Sequence, residues 1–256
     1  MNKISQAFKN KKALIAYLTA GDPNLQKTKE YIIAMAQSGA DLIEIGIPFS
    51  DPVAEGAVIQ AAMERALKNK IDIDNIFDMV ESVRKEINIP LVFMTYLNPV
   101  FSYEYEKFFK KCKETGVSAI IVPDMPFEEQ GEIKDIANKY NIAVITLIAP
   151  TSKERISALS KSAQGFIYLV SSLGVTGMRD KITTDIGSII SQIKKETNVP
   201  IGVGFGISTA QQAKEIIKYA DGAIIGSAIV KIIAQNNDDT INNLKNFILS
   251  VKKEML

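Results

Sequence analysis

Eight short apolar runs recur along the chain, and amphipathic stretches separate them. The runs are ALIAYL, ADLIEIG, IPLVFMT, SAIIVPD, IAVITLI, GFIYLVS, VPIGVGF and DGAIIG. Both faces of each run are largely apolar, which is typical of buried parallel strands and not of half-exposed ones. The stretches between them include LQKTKEYIIAMAQSG, SYEYEKFFKKCKETG and STAQQAKEIIKYA, and several end at a glycine that suits a helix C-terminus. The pattern therefore predicts eight strand–helix units.

Eight such units in 256 residues predict an α/β fold of the (β/α)8, or TIM-barrel, class in one domain over residues 1–256. A doubly wound open sheet is the alternative, because periodicity alone does not fix how the strands pair. We also expect a short extra helix at the N-terminus and another after the second strand, within IPFSDPVAEGAVIQAAMERALKNK. This segment and SSLGVTGMRDKITTD, after the sixth run, are long connections that follow strand carboxyl ends. Barrel enzymes carry their chemistry on that face.

Composition narrows the possible chemistry. The chain has no His and a single Cys, Cys112, so neither a typical zinc cluster nor a Ser-His-Asp or Cys-His arrangement can be assembled. The 30 Lys and Arg nearly balance the 29 Asp and Glu, which gives no argument for a nucleic-acid or membrane partner. No run reaches the roughly 20 apolar residues of a membrane helix, and the N-terminus lacks a signal-like apolar run. We expect a soluble cytoplasmic protein that uses carboxylates, Lys, Tyr or a cofactor for proton transfer.

Glu44 lies inside the second apolar run, LIEIG. On a strand it shares a face with Leu42 and Gly46, whereas Ile43 and Ile45 share the other. If its face points into a barrel, burial raises the pKa of the carboxyl and suits it to general acid or base catalysis near neutral pH. The alternative is an ion pair with a Lys or Arg at the barrel rim.

Further candidate chemistry follows in the loops. Glu55 stands just before the predicted extra helix, and by itself it reads as an acidic residue that stabilises a helix N-terminus. Asp51 in FSDP reads equally as the start of a turn. The glycine-rich segments GVGFGIS and IIGSAIVK follow the seventh and eighth runs, and each leads into a helix. Backbone N–H groups at such positions bind phosphate, and barrels frequently place that site there, so we expect a phosphorylated substrate.

The segments LIEIGIPFSDP, MTYLNPVF, VPDMPFEEQ, YLVSSLGVTG, GVGFGIS and IIGSAIVK, taken in order, resemble the tryptophan synthase α-subunit family over nearly the whole chain. The combination of FSDP, GxxIQ and SxxGVTG is specific for that family, and a generic phosphate-binding barrel would not share it. It implies cleavage of indole-3-glycerol phosphate to indole and glyceraldehyde 3-phosphate, without a cofactor or metal in this chain. It also implies a pyridoxal-phosphate-containing β subunit as partner in an αββα assembly, with indole passed between the active sites.

The resemblance also implies roles for individual residues. Glu44 matches the glutamate that shuttles protons between the glycerol hydroxyl and indole carbon 3, and Glu55 takes the position of an aspartate that pairs with the indole N–H. The other matches are the indole pocket, the phosphate cradle and a loop threonine that bonds the aspartate when the loop closes. The indole-pocket matches are Tyr17, Tyr168 and Phe205. The phosphate-cradle matches are Gly177, Gly206, Gly226 and Ser227, and the loop threonine is Thr176.

The chain departs from the family at one motif. The usual Ala-Asp-Gly-Pro is Ala54-Glu55-Gly56-Ala57 here, so the carboxylate is one methylene longer and the proline is lost. The added methylene shifts the carboxylate by roughly 1.5 Å if the backbone holds, and misplacement on that scale can lower a rate about 100-fold. Two functions therefore stay open: a working lyase whose loop has adapted, and a weak or inactive α subunit that mainly activates the β subunit. An unrelated isomerase on the same fold is a third alternative.

Overall fold

The structure is a computed structural model that describes residues 3–170, 179–204 and 206–256. Within these ranges, nine parallel strands form one sheet in the order β5-β4-β3-β2-β1-β9-β8-β7-β6. The strands are β1 Ala13–Thr19, β2 Leu42–Gly46, β3 Leu91–Met94, β4 Ala119–Ile121, β5 Ala143–Val144, β6 Thr146–Ile148, β7 Ile167–Val170, β8 Ile201–Gly204 and β9 Gly222–Ile225. All eight predicted runs contain strand residues.

The two ends of this strand order, β5 and β6, are consecutive in the chain and are separated only by Ile145. They are two halves of the run IAVITLI, which the pattern predicted as one strand. The first half pairs with β4 and the second with β7, each in parallel. The sheet therefore curls into a nearly closed barrel, which confirms the TIM-barrel prediction over the open doubly wound sheet.

Helices surround the barrel and connect its strands. They are α1 Lys3–Ala7, α2 Leu25–Gln37, α3 Ala57–Leu67, α4 Ile73–Arg84, α5 Leu97–Ser102, α6 Tyr105–Thr115, α7 Gly131–Lys139, α8 Ile156–Lys161, α9 Arg179–Glu196, α10 Ala210–Ile216, α11 Ser227–Ile233 and α12 Thr240–Glu254, with 3-10 turns at Phe127–Glu129 and Pro150–Arg155. The extra helices predicted at the N-terminus and after the second strand are α1 and α3. None of the described helices is long and apolar enough to cross a membrane.

Local sequence accounts for several helix boundaries. The Asn24 side chain accepts from the Lys27 N–H at the start of α2, and Asp72 caps α4 in the same way through Asn75. Gly116 ends α6 with φ +79°, and Gly39 follows α2 with φ +111°, a region that glycine enters without steric penalty. The segment SYEYEK was predicted within one helix, but α5 ends at Ser102 and Glu104, with φ +72°, turns the chain into α6.

The alternation of side chains along each strand divides the apolar core in two. Side chains on one face fill the barrel interior, among them Ile15 and Tyr17 of β1, Leu42 of β2 and Tyr168 of β7. Side chains on the other face, such as Ile43 of β2, pack between the barrel and the helices. Glu44 is in register with Tyr17 on β1 and shares the inward face with Leu42. The strand pattern thereby carries a carboxylate into the barrel.

Candidate active site

Glu44 is buried inside the barrel, with 1% of its surface exposed. Neither of its carboxylate oxygens has a hydrogen-bond partner among the described residues. Burial raises the pKa of Glu44 to about 8, and the nearby charge of Glu55 adds to the rise. The alternative of an ion pair at the barrel rim has no support in the described contacts. The carboxyl is therefore poised to donate and accept a proton near neutral pH.

Glu55 is also buried, in the loop between β2 and α3, and is 8% exposed. Its Oε2 accepts a hydrogen bond from the hydroxyl of Tyr96, whereas its Oε1 has no partner among the described residues. Burial raises the pKa of Glu55, and the bond from Tyr96 opposes that rise because it favours the carboxylate. Glu55 thus has a buried acceptor oxygen, and its role is not limited to stabilising the N-terminus of α3.

One cavity at the carboxyl ends of the strands joins these two carboxylates to most of the other predicted residues. It is lined by Tyr17, Glu44, Ala54, Glu55, Gly56, Ile59, Met94, Tyr168, Gly206, Ile207, Ile224, Gly226 and Ser227. Seven of the ten residues expected at the site therefore line one cavity. The remaining three, Phe205, Thr176 and Gly177, lie outside the described residues.

Two tyrosines in the cavity lie against glycines on neighbouring strands. A Cβ at Gly46 would sit 2.2 Å from the Tyr17 hydroxyl oxygen, and one at Gly204 would sit 2.5 Å from that of Tyr168. Only glycine leaves room for such close approach. The Tyr17 hydroxyl is 3.2 Å from Thr19 Oγ1, and burial raises the pKa of both tyrosines, so both stay neutral. They provide flat, uncharged walls for an aromatic ligand.

Residues from the loops after β8 and β9 also line the cavity. Gly206 has φ +81°, which favours glycine, and no atom lies within 4 Å of where its Cβ would be. Gly226 immediately precedes α11, and Ser227 is the first residue of that helix. Main-chain N–H groups and a hydroxyl here suit an anionic group. In the described part of the chain, no group of three or more His, Cys, Asp or Glu side chains could hold a metal ion.

One polar residue and several apolar ones at this site were not predicted from the sequence. Tyr96, two residues after the end of β3, donates to Glu55, and its hydroxyl accepts from the N–H groups of Val53 and Ala54, each at 2.9 Å. The signal available was its place in MTYLNP, at the carboxyl end of a predicted strand. The missed cavity-lining residues with apolar side chains are Ala54, Ile59, Met94, Ile207 and Ile224. They carry no local signal that separates them from ordinary core residues.

Comparison with known proteins agrees with this architecture. The family described as tryptophan synthase alpha chain matches residues 4–255. The chain is 46% identical over 252 residues to the tryptophan synthase alpha chain of Lacticaseibacillus casei, which covers 98% of this chain and 95% of that protein. Among solved structures, the alpha subunit from Campylobacter jejuni superposes with a TM-score of 0.87 at 40% identity, covering 95% of this chain and 97% of that one. A chain of the aminoacrylate-bound tryptophan synthase from M. tuberculosis superposes with a TM-score of 0.89 at 28% identity, covering 100% of both. This chain belongs to the tryptophan synthase alpha chain family.

Proposed function

We propose that this chain cleaves indole-3-glycerol phosphate to indole and glyceraldehyde 3-phosphate. The observation that carries the proposal is that Glu44 and Glu55, both buried and each with an unpartnered carboxylate oxygen among the described residues, share one cavity. The glycines expected to cradle a phosphate, Gly206 and Gly226, line the same cavity. A carbon–carbon lyase that acts on a phosphate ester bearing an indole ring would use a proton donor, a group that stabilises positive charge and a phosphate site.

In the proposed reaction Glu44 acts first as an acid and then as a base. Its proton goes to carbon 3 of the indole ring, which leaves the ring as a positively charged indolenine. The Glu44 carboxylate then takes the proton of the glycerol hydroxyl. At the same time the bond breaks between the carbon that bears this hydroxyl and carbon 3 of the ring. The electron pair of the broken bond returns to the ring to give neutral indole, the hydroxyl becomes the aldehyde, and Glu44 is again protonated.

Glu55 is proposed to stabilise the charge that develops in the first step. A carboxylate that accepts the ring N–H lowers the energy of the indolenine, and it acts strongly because the cavity is shielded from water. Tyr17 and Tyr168 are proposed to hold the ring from either side, with Phe205 completing the pocket. Gly206, Gly226 and Ser227 are proposed to bind the phosphate together with Gly177. Thr176 is proposed to bond Glu55 when its loop closes.

Membership of an alpha chain family implies a β-subunit partner. We infer an αββα assembly in which this chain supplies indole and the β subunit holds pyridoxal phosphate, with no cofactor in this chain. The M. tuberculosis structure is a tryptophan synthase in an aminoacrylate-bound form, and this chain resembles one of its chains. The proposed substrate is a small phosphorylated indole and the proposed partner is the β subunit; neither nucleic acid nor a membrane is proposed as a partner.

The proposal is tested by measuring indole release from indole-3-glycerol phosphate by the purified chain, alone and with its β subunit. We expect turnover to fall by about 100- to 10,000-fold in Glu44→Gln, because general acid–base catalysis typically contributes that much to a rate. Glu55→Asp should be no faster than wild type if the loop has adapted to glutamate.

The same experiment distinguishes the alternative function. If wild type does not exceed the Glu44→Gln blank and yet accelerates the β-subunit reaction with serine on mixing, the lyase assignment is wrong. The chain would then be an activating subunit with a silent site, as replacement of the family aspartate by Glu55 would allow.

A further inference from the structure

The hydroxyl of Tyr96 makes every hydrogen bond that a phenol can make. It accepts from the backbone N–H groups of Val53 and Ala54, each at 2.9 Å, and it donates to Glu55 Oε2. A phenolic oxygen has two acceptor lone pairs and one proton. Because both lone pairs are occupied by backbone donors, the one proton is directed to Glu55.

Tyr96 itself is held firmly from two directions. The residue is 2% exposed, and its ring stacks on Phe49, with 5.0 Å between the ring centroids. The next backbone N–H, that of Leu97, donates to both oxygens of Asp124 at 3.0 and 3.2 Å. The hydroxyl is therefore a fixed point between the loop after β2 and the loop after β3, which are neighbouring strands.

The carboxylate of Glu55 is divided between two environments. Oε2 is occupied by Tyr96, whereas Oε1 is buried and without a partner among the described residues. Gly56 and Ala57 follow Glu55, so the backbone here lacks the restraint that a proline ring would give. The Tyr96 hydroxyl supplies a restraint at Val53, Ala54 and Glu55 together.

We propose that Tyr96 is a positioning residue that holds Glu55 Oε2 so that Oε1 is presented to the N–H of the indole ring. This inference rests on the proposed function and adds to it the residue that fixes the position of the Glu55 carboxylate. Tyr96 acts through Glu55 and is not itself required to touch the substrate.

The test is a binding measurement that needs no turnover. The probe is 3-(indol-3-yl)propyl phosphate, which lacks the hydroxyl needed for cleavage, and its N-methyl counterpart, which lacks the ring N–H. Wild type should bind the N–H compound at least about tenfold more tightly, as expected for a hydrogen bond to a buried charged group. In Tyr96→Phe this ratio should fall below about threefold, because Oε1 is no longer held in place.

Tyr103→Phe is the matched control. The Tyr103 hydroxyl also donates to a carboxylate, that of Asp74, and neither residue is among those that line the cavity. This variant should keep the wild-type ratio. If Tyr96→Phe does not fold, as judged by circular dichroism, Glu55→Asp provides the second test. The side chain that is one methylene shorter moves the carboxylate by roughly 1.5 Å in this loop, so we expect its ratio also to fall at least about threefold.

An unchanged ratio in Tyr96→Phe, or a wild-type ratio near one, overturns the inference. Its failure is distinct from failure of the proposed function. Indole release with a wild-type ratio near one would keep the lyase and remove the positioning role. No indole release with the ratio intact would remove the lyase and leave Tyr96 as the residue that orients Glu55 toward an indole ligand.

Discussion

At the scale of single residues, the protonation of Glu44 controls the proposed reaction. Burial moves its pKa from the ordinary 4.5 to about 8, so the carboxyl of the free enzyme is protonated at neutral pH. The proposed first step uses that proton. We therefore expect kcat/KM to fall about tenfold per pH unit above about pH 8, measured by steady-state indole release between about pH 6 and 10. A rate that rises through this range would show that Glu44 starts the reaction as a base.

The raised pKa of Glu44 can also be tested without an activity assay, through its effect on stability. In the unfolded chain Glu44 loses its proton near 4.5, whereas in the folded chain it keeps it to about 8. The folded state thus binds an extra proton between these values, and this group lowers stability as pH rises through that window. Glu44→Gln should be more stable than wild type by about 3–5 kcal/mol at about pH 9 and by much less at about pH 5. Urea unfolding at the two pH values measures the difference, and equal gains would contradict the assigned pKa.

At the scale of elements, the extra helix α3 is fixed to the loop after β1. Arg65 near its C-terminal end makes a forked contact with the buried Asp22, Nε to Oδ1 at 2.8 Å and Nη2 to Oδ2 at 2.7 Å. Asn69 adds bonds to the carbonyls of Gly21 and Pro23. The other end of α3 follows Glu55, so this attachment holds the helix that begins at the active site.

We expect Arg65→Lys to lower the free energy of unfolding by about 1–2 kcal/mol, because lysine keeps the charge but loses the fork. Urea denaturation measures the loss. Arg155→Lys is the matched control, since Arg155 pairs with Glu128 at the surface, where ion pairs contribute about 0–1 kcal/mol. Equal losses in the two variants would show that the fork at Asp22 has no special role.

At the scale of the whole molecule, Asp41 joins distant parts of the chain at the end of the barrel opposite the site. The residue directly precedes β2 and is 7% exposed. It accepts from the Leu14 N–H at 2.8 Å and forms ion pairs with Lys11, before β1, and with Lys252 of α12. One carboxylate therefore connects the N-terminal segment, two neighbouring strands and the last helix.

Asp41→Asn should lower the free energy of unfolding by about 2–4 kcal/mol, because two lysines lose a shielded counter-charge. Asp78→Asn, an exposed position on α4, should stay within about 0.5 kcal/mol of wild type. Urea denaturation of both variants at neutral pH provides the comparison. A loss at Asp41 no larger than that at Asp78 would contradict the role of the cluster in joining the chain ends.

Local sequence was sufficient to predict the strands, the barrel class and seven of the residues that line the cavity. Apolar runs of strand length and the amphipathic stretches between them are local signals. The strands and helices of the structure lie close to the positions that these signals predict. Glycines such as Gly39 and Gly116 marked helix ends because the left-handed backbone there is a local requirement. Alternation also placed Glu44 on the same face as Leu42, and the order of motifs along the chain indicated the family.

The folded barrel was needed to establish which face of β2 points inward and which groups meet there. Tyr96 and Glu55 are separated by 41 residues, and the place of Tyr96 near a strand end does not by itself show that it contacts Glu55. The division of IAVITLI at Ile145 follows from pairing with two different neighbours as the sheet closes, which is a property of the whole barrel. Burial, and with it the raised pKa of Glu44, depends on residues distant in the chain. Periodicity indicates whether a segment favours a strand or a helix, whereas contacts between distant segments form only once the barrel has closed.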